Sequence, residues 1–428
     1  MRLHLAPLFA LGFTPAFAFQ TVHVVNGGTG NALQAVVDAA ANGDTILVHG
    51  GSFGAVHVFG KALTLIAEPA HGTSLARLQI SGHAPNQRCI VAGFDIHPTE
   101  LLAVGVSVNS TGGSVRLEDV HVFGGPDQST AGLGLLNASD VACVRCVFAA
   151  GSQFPATSQS FPSVSGITCA SSQLALYDCI VTGGAGQDDH VIDVAFHRSG
   201  SGTGGAALEC LGSSTVFASG SSFTGGAGGQ GLPYSWLCAT LPCGAGPTTG
   251  GNGGHGVVAE AGSTAALLDC VVSGGAGGAG GAGGQCCPQT VWPAAAPGVP
   301  GSAEQGTITH FPGASTAMSA PSAVRVGNTL PLTIGGTPGD VIFLAVSSQS
   351  RFVFDPFYSG VFLFGPAARR SSFGVVPGSG VLNVSISVGT LPVGAQSAVR
   401  HLQVFARDPS GQLRLGSPAI VTVLDPSF

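Results

Sequence analysis

The sequence predicts an all-β protein: a right-handed parallel β-helix with a short N-terminal capping helix, followed by a small antiparallel β-sandwich. Three observations support this prediction. One short phrase recurs along the middle of the chain, an amphipathic helical segment precedes the first apolar strands, and the composition changes near Ala294. The predicted divisions are a signal peptide at 1–18, the β-helix at 19–293, a linker at 294–321 and the sandwich at 322–428.

The first eighteen residues have the pattern of a secretory signal peptide. Arg2 supplies a basic start, residues 5–13 are mostly apolar, and Ala16-Phe17-Ala18 is a cleavage signature. The apolar stretch is shorter than the ~20 residues that cross a bilayer, and glycine or polar residues interrupt every later apolar run. We therefore expect an exported protein, secreted or at the cell surface, without a membrane span.

A helix is predicted near the start of the mature chain. Asn31 is a suitable N-cap, and Gly43 can end the helix. Between them apolar residues follow helical spacing, at Leu33, Val36, Val37 and Ala40. The segments 45–48 and 63–66 then have the composition of strands.

The repeated phrase indicates a solenoid. It reads GSVRLEDVHVFGG, SDVACVRCVFAAG, SQLALYDCIVTGG, STVFASGSSFTGG and STAALLDCVVSGG. Aligned at one column, successive copies lie 26, 33, 42 and 49 residues apart, at Val120, Cys146, Cys179, Ser221 and Cys270. A fixed phrase with variable spacers is typical of coils that carry loops of different length. We predict that this column points inward, and that a second column contains Asn137, Cys169, Cys210 and Ala259.

Eleven cysteines in an exported chain indicate oxidising surroundings. Stacked coils lie about 4.8 Å apart, which places Cα atoms of one column within disulfide range. The disulfide candidates are Cys169 with Cys210, Cys146 with Cys179, and Cys238 with Cys243. The pair Cys143 and Cys146 has the spacing of half a zinc site, but no second pair accompanies it, so we predict a structural role.

The helical segment and the following GDTILVHGGSF resemble the N-terminal cap and first coil of right-handed parallel β-helix proteins of the pectin-lyase-like superfamily. The resemblance covers roughly residues 21–284. It implies that the helix closes the open end of the core. This superfamily includes lyases, glycosidases, epimerases, adhesins and coils without known activity, so the resemblance implies a fold and no single function.

Alternating strands divided by turns follow the predicted linker. The clearest are 330–334, 340–346, 381–388, 401–406 and 419–424. Short strands at this spacing indicate a β-sandwich, similar to the small C-terminal sandwich modules of secreted bacterial proteins. We expect an attachment or packing role at least as readily as ligand binding.

Composition excludes some partners. The net charge is −7 and Lys61 is the only lysine, which argues against nucleic-acid binding. The glycine-rich spacers, such as GGAGGAGGAGG from Gly274, lack the proline of collagen and the aspartates of calcium-binding nonapeptides. They predict flexible or glycine-stacked loops.

One titratable cluster stands out in a chain with 8% charged residues. The catalytic candidates are Asp188, Asp189, Asp193 and Arg198, and the ligand-binding candidates are His190, His197, Tyr234 and Trp236. Paired carboxylates suit acid–base chemistry on a glycosidic bond or the binding of Ca²⁺. The interpretation that we favour is a solvated loop with one or two structural hydrogen bonds. No cofactor other than Ca²⁺ is implied.

Two functional hypotheses follow. The leading one is a secreted or cell-surface, non-catalytic β-helix protein with a structural, adhesive or carbohydrate-contacting role, whose partners are polysaccharide or cell-surface material. The alternative is a polysaccharide lyase or glycoside hydrolase centred on residues 188–198. The polygalacturonase motifs have partial counterparts in Asp188-Asp189 and Gly254-His255-Gly256, but no later lysine completes them, so that assignment is rejected.

Overall fold

Parallel strands dominate the molecule. The computed structural model describes residues 20–68, 72–100, 103–125, 130–152, 164–190, 200–233, 246–286 and 290–428, so the predicted signal peptide lies outside the described ranges. Most strands belong to one large parallel sheet that winds round an apolar core. The chain therefore contains a parallel β-helix. Within the described ranges, no helix is long and apolar enough to cross a bilayer.

The β-helix has three faces, which we call A, B and C. Face A contains Val22–Asn26, Thr45–His49, Thr64–Ala67, Arg88–Ala92, Gln173–Tyr177, Thr215–Ser219, Thr264–Leu268 and Ile308–Phe311. Face B contains Thr29–Gly30, Asp95–Ile96, His121–Phe123, Val147–Ala149, Ile180–Thr182, Ser222–Thr224 and Val271–Ser273. Face C contains Ile167–Ala170, Leu208–Leu211, Val257–Ala259 and Glu304–Gly306. Four longer strands bend across two faces: Gly51–Phe59 and Thr73–Ser81 over B and C, and Val104–Glu118 and Ala131–Val144 over C and A.

The repeated phrase encodes a corner between faces A and B. The residue before each column member has left-handed backbone, with φ of 50° at Asp119, 52° at Arg145, 54° at Asp178, 61° at Gly220 and 52° at Asp269. Asp, Asn and Gly tolerate this conformation best. The column of Val120, Cys146, Cys179 and Ser221 is buried and stacks in the predicted register.

The second predicted column is partly wrong. Cys169 pairs with Cys210, and Cys210 with Ala259, as expected, but the residue below Cys169 is Leu135. Asn137 instead has φ of 52° and forms the corner between faces C and A. The sequence placed Asn137 in the column of Cys169, whereas Asn137 is a turn residue and Leu135 occupies that column.

The helix spans Ala32–Ala39 and occupies the face C position of the first coil, next to Gly51–Phe59. Its Leu33 and Val37 are buried in the core of the β-helix, while the Asn31 side chain forms no capping hydrogen bond. The side-chain ammonium of Lys61 donates to the carbonyl oxygens of Val37, Asp38 and Ala40, at 3.1, 2.6 and 3.0 Å. The chain's one lysine thus satisfies the carbonyl groups at the end of this helix.

The long spacers between faces B and C form what we call the glycine bundle. Its outgoing arms are 183–190, 225–232 and 274–283, and its return arms are 200–207, 246–256 and 294–303. Neighbouring outgoing arms are joined at every third residue, as in the bonds from Gly228 N to Ala276 O and from Gly231 N to Ala279 O, both 2.8 Å. Return arms cross-link the outgoing arms, for example from Gly278 N to Gly251 O at 2.8 Å. The threefold period is that of a polyproline-II helix.

The range 294–321 does not have the structure of a linker. Residues 294–303 are an arm of the glycine bundle, and Glu304–Gly306 and Ile308–Phe311 pair in parallel with the preceding coil. In this arm Gly298 and Gly301 approach other arms closely, whereas Pro297, Val299 and Pro300 are exposed, and this composition resembles that of a linker. A small antiparallel pair, Gly284–Cys286 with Thr290–Trp292, joins the last two arms.

The C-terminal unit has two sheets that share one apolar core. The three-stranded sheet is antiparallel and contains Ala317–Ser319, Thr329–Gly335 and Val381–Ser387. The five-stranded sheet contains, in spatial order, Ala323–Arg325, Leu413–Leu424, Ser397–Arg407, Val341–Ser347 and Arg369–Val375. A hairpin of Val353–Asp355 and Gly360–Phe362, with the short 3₁₀ helix Pro356–Tyr358 between them, completes the unit.

This unit covers the outward side of face A along much of its length. Leu47 and Ile66 pack with Leu424, and Ile90 packs with Val399 and Ile420. Farther along the coils, an apolar cluster joins Tyr177 and Phe217 of face A to Val361 and Leu363. Face A is therefore apolar on both sides, in contrast to the alternating burial on faces B and C.

Polar contacts reinforce the interface. The Arg145 guanidinium lies 2.5 Å from Glu118 and donates to the carbonyl oxygen of Met318 at 2.9 Å. The other carboxylate oxygen of Glu118 accepts from the backbone N–H of Ile420 at 2.9 Å. Each charged group at this buried junction has a partner, as burial of charge requires.

Candidate functional site

The acidic cluster lies at the end of the first outgoing arm of the glycine bundle. Asp189 is buried, and its two carboxylate oxygens accept from the backbone N–H of Gly200 at 2.9 Å and from the hydroxyl of Thr248. The carboxylate of Asp188, an exposed residue, accepts from the backbone N–H of Gln230 at 2.7 Å. Both carboxylates thus join one arm of the bundle to the next.

Of the remaining candidates in this cluster, the structure describes His190. The ring of His190 lies 2.8 Å from the amide nitrogen of Gln187. Asp193, His197 and Arg198 lie outside the described residues, as do Tyr234 and Trp236. The structure therefore assigns hydrogen-bonding partners to two of the four catalytic candidates, Asp188 and Asp189.

Protein donors already contact the carboxylates of Asp188 and Asp189. Three of their oxygens accept hydrogen bonds from N–H or O–H groups. Across the described ranges, no group of three or more His, Cys, Asp and Glu side chains is placed to hold a metal ion.

Seven cysteines that the structure describes in the solenoid are free thiols, so the candidate disulfides Cys169–Cys210 and Cys146–Cys179 are not formed in the structure; the seven are Cys89, Cys143, Cys146, Cys169, Cys179, Cys210 and Cys270. Cys169 and Cys210 occupy adjacent coils in direct register, and burial raises the pKa of Cys169 to about 11. Cys146 and Cys179 are also stacked, and the Cys179 thiol lies 3.5 Å from the carbonyl oxygen of Cys143. Cys238 and Cys243 lie outside the described residues.

A more prominent surface lies on the outward side of face B, near its middle. The ring of His97 stacks on that of Phe123, with centroids 5.2 Å apart and planes 16° from parallel. Beside them, His121 Nδ1 lies 3.1 Å from a carboxylate oxygen of Asp95. These four residues define the His97–Phe123 surface.

Strand register explains this arrangement. His121 pairs with Asp95 in adjacent coils, so residues two positions later, Phe123 and His97, point outward in the next column. The alternation is visible in the sequence as Asp95-x-His97 and His121-x-Phe123. Sequence reasoning missed this surface, because the register that places Asp95 beside His121 follows only from the pairing of their strands.

The His97–Phe123 surface is accessible. Phe123 is 42% exposed, and the side chains of Asp95 and His121 are 46% and 38% exposed. The same face continues toward the last coils with the exposed apolar residues Ile180 and Val271. The surface combines a flat ring pair with groups that donate and accept hydrogen bonds.

Comparisons with known proteins find little. No family model and no curated protein matches the chain. Similar solved structures include a superoxide reductase (neelaredoxin) from Ignicoccus hospitalis, with 13% identity, TM-score 0.15, and coverage of 26% of this chain and 80% of that one. A PKD domain of an M14-like peptidase from a Thermoplasmatales archaeon has 16% identity, TM-score 0.14, and coverage of 26% and 93%.

The enzymatically active domain of tailspike protein 4 from bacteriophage CBA120 covers most of this chain. It has 13% identity and TM-score 0.24, with coverage of 92% of this chain and 65% of that one. At these scores the likenesses carry no argument about function, which rests on the contacts described above.

Proposed function

We propose that this chain is an exported, non-catalytic β-helix protein of the pectin-lyase-like type, secreted or at the cell surface, with a structural or adhesive role. It contacts carbohydrate through the His97–Phe123 surface. The helix Ala32–Ala39 closes the N-terminal end of the core, and the C-terminal unit is a β-sandwich that packs on face A.

The observation that carries the proposal is the exposed ring pair beside Asp95 and His121. A sugar ring presents an apolar C–H face and an edge of hydroxyl groups. Aromatic rings pack against the first, while a carboxylate and an imidazole satisfy the second. Phe123 is 42% exposed and lies on a strand of the sheet, so it also needs no rearrangement to bind.

The acidic cluster supports a non-catalytic role. Asp189 is buried and both of its oxygens accept hydrogen bonds from the glycine bundle, so it is poorly placed to exchange a proton with substrate. No described contact favours the alternative of a lyase or glycoside hydrolase. Release of reducing ends or unsaturated products from a panel of polysaccharides would contradict this part of the proposal.

Affinity electrophoresis of the full chain in gels containing acidic or neutral polysaccharides tests the binding. We expect retardation by at least one polymer and about tenfold weaker binding for Phe123→Ala, since loss of a ring contact costs ~1.4 kcal/mol. Phe59→Ala is the matched control, because Phe59 is 66% exposed but lies on face C. Equal binding by Phe123→Ala and the wild type, or no retardation in any gel, would refute the assignment of this surface.

A further inference from the structure

A polar cleft lies where the edge of face A meets the C-terminal unit. Its volume is about 380 Å³, and its lining includes Asn86, Arg88, Ser114, Asp140, Gln349 and Ser350. Pockets that hold small organic ligands start at about 300 Å³. The cleft lies on a different face from the His97–Phe123 surface, so it requires a separate explanation.

Arg88 is the charged group in this cleft that lacks an acidic partner. Its Nη1 donates to the carbonyl oxygen of Ser348 at 3.2 Å and to Nε2 of His401 at 2.7 Å. In the part of the chain that the structure describes, Arg88 forms no ion pair, and its Nε and Nη2 make no hydrogen bond. That edge of a guanidinium presents two parallel N–H donors.

The nearby carboxylate is already engaged. Asp140 lies 2.6 Å from Nη1 of Arg116, whose Nη2 donates to the hydroxyl of Ser350 at 2.5 Å. Burial and the neighbouring Arg116 and Arg400 lower the pKa of Arg88 to about 10, so Arg88 remains charged at neutral pH. The cleft therefore contains a positive charge without a balancing acid, which is costly for a partly buried group unless an anion binds.

We infer that this cleft binds the carboxylate of a small polyhydroxylated ligand, with the Nε–Nη2 edge of Arg88 as the carboxylate fork. Asn86, Ser114 and Gln349 line the remaining space and supply amide and hydroxyl groups that suit ligand hydroxyls. A single planar fork matches a carboxylate in geometry and in charge.

Isothermal titration calorimetry of the full chain with three probes tests this inference. The probes are D-gluconate, its neutral counterpart D-glucitol, and inorganic sulfate. We expect gluconate to bind, glucitol not to bind, and sulfate to bind at least tenfold more weakly than gluconate. Absence of gluconate binding, or equal affinity for glucitol or sulfate, would overturn the inference.

Variants locate the site. We expect Arg88→Gln to weaken gluconate binding at least tenfold and Arg88→Lys to weaken it too, because an ammonium has no planar fork. Arg370→Gln is the control, since Arg370 lies over the Phe405 ring and not in the cleft. Thermal unfolding checks that each variant is folded.

A second variant covers the case in which Arg88→Gln fails to fold. Asn86 is an exposed residue at the mouth of the cleft, so Asn86→Trp obstructs it without altering the interface. Gluconate binding that persists in folded Arg88→Gln or in Asn86→Trp would show that the ligand binds elsewhere and would refute the assignment.

Discussion

His401 shows how one buried residue links the stability of this protein to pH. Its Nε2 accepts a hydrogen bond from the Arg88 guanidinium at 2.7 Å, which requires a neutral ring. Burial lowers the pKa of His401 well below 6.5, and the charges of Arg88, Arg116 and Arg400 lower it further. The folded protein therefore keeps this ring neutral at pH values where the unfolded chain protonates it.

We predict that replacement of His401 changes the pH profile of stability. Because its folded pKa is depressed, His401 contributes stability above pH 6.5 that is lost as the pH falls below that value. Relative to His401→Gln, whose amide oxygen can still accept from Arg88, the wild type should lose up to ~1.4 kcal/mol per pH unit below pH 6.5. Urea unfolding at pH 7.5, 6.0 and 5.0 measures the difference.

The comparison isolates His401 because other titrating groups are common to both proteins. Burial raises the pKa of Glu118 to about 7 despite its pairing with Arg145. The folded state then holds the proton of Glu118 more tightly than the unfolded chain does. The contribution of Glu118 to the free energy of unfolding therefore falls as the pH rises from about 4.5 to 7, in the wild type and the variant alike. Parallel pH profiles for the two proteins would show that His401 is not a source of the dependence.

For single residues, the sequence predicts which side chains point into the core better than it predicts what the polar side chains do. The column of Cys146, Cys179 and Ser221 follows from the phrase, because each member comes directly after a left-handed corner residue. The roles of Asp188 and Asp189 could not be predicted, since their partners lie 42 and 59 residues away, at Gln230 and Thr248. The concentration of charged residues in a chain that has few of them indicated a catalytic site. In the structure, these carboxylates instead form hydrogen bonds between arms of the glycine bundle.

The packing of the glycine bundle depends on residues that have no side chain. Along its middle outgoing arm, two buried glycines alternate with one exposed residue, as in Gly228, Gly229 and the exposed Gln230. A Cβ atom on Gly278 would overlap the carbonyl oxygen of Gly229 in the next arm. Close approach of another arm therefore requires glycine at Gly229 and Gly278, whereas the third position is free to vary; in the first outgoing arm the equivalent residue is Gln187.

We predict opposite outcomes for neighbouring substitutions in one arm. Gly278→Ala forces the arms apart and should destabilise the protein by ~1–3 kcal/mol, the usual cost of overpacking. Ala279→Ser is the control and should stay within ~0.5 kcal/mol, because Ala279 is exposed. Thermal unfolding combined with amide hydrogen exchange measures both effects. If the two variants are equally stable, the arms are not close-packed.

Among elements, the sequence predicts those that have an apolar signal, whether alternating or continuous, and misses the arm that has none. The helix and the C-terminal strands such as Thr329–Gly335 and Ser397–Arg407 lie where apolar spacing places them. The arm 294–303 was predicted as a linker, because the hydrogen bonds that order it come from other arms and leave no periodic apolar signal.

At the scale of the whole molecule, the cover over face A explains strands that are apolar at successive positions. Segments such as TILV at 45–48 and TLIA at 64–67 are buried at every residue. Alternation fails there because the C-terminal unit packs on the outward side, with Leu47 and Ile66 against Leu424. The run of apolar residues was visible in the sequence, but its partner, more than 300 residues away, was not.

This interface changes the prediction for truncated chains. From the sequence alone, we expect the β-helix to remain soluble without the C-terminal unit. The structure predicts the reverse: a chain ending at Gly313 keeps every coil and bundle arm but exposes Leu47, Ile66, Tyr177 and Phe217, and it should aggregate.

Size-exclusion chromatography of this chain measures the outcome. A matched truncation with Leu47, Ile66 and Phe217 changed to Thr should recover part of the monomer, because it removes apolar surface from the uncovered face. A monomeric, β-rich product from the unmodified truncation would show that the cover is dispensable.

The glycine bundle also constrains how such a protein can change in length. Adding or removing one or two residues in an arm would bring a bulky third-position residue into a place where only hydrogen fits. Arms can therefore lengthen or shorten only by whole triplets, nine nucleotides at a time in the gene. Because each arm bonds to its neighbours at every third residue, an extended arm gains partners only when the adjacent arms grow as well. In natural variants of this chain, adjacent arms should therefore differ in length together, by whole triplets. Longer arms would place their variable ends farther from the β-helix, while the packing between arms stays the same.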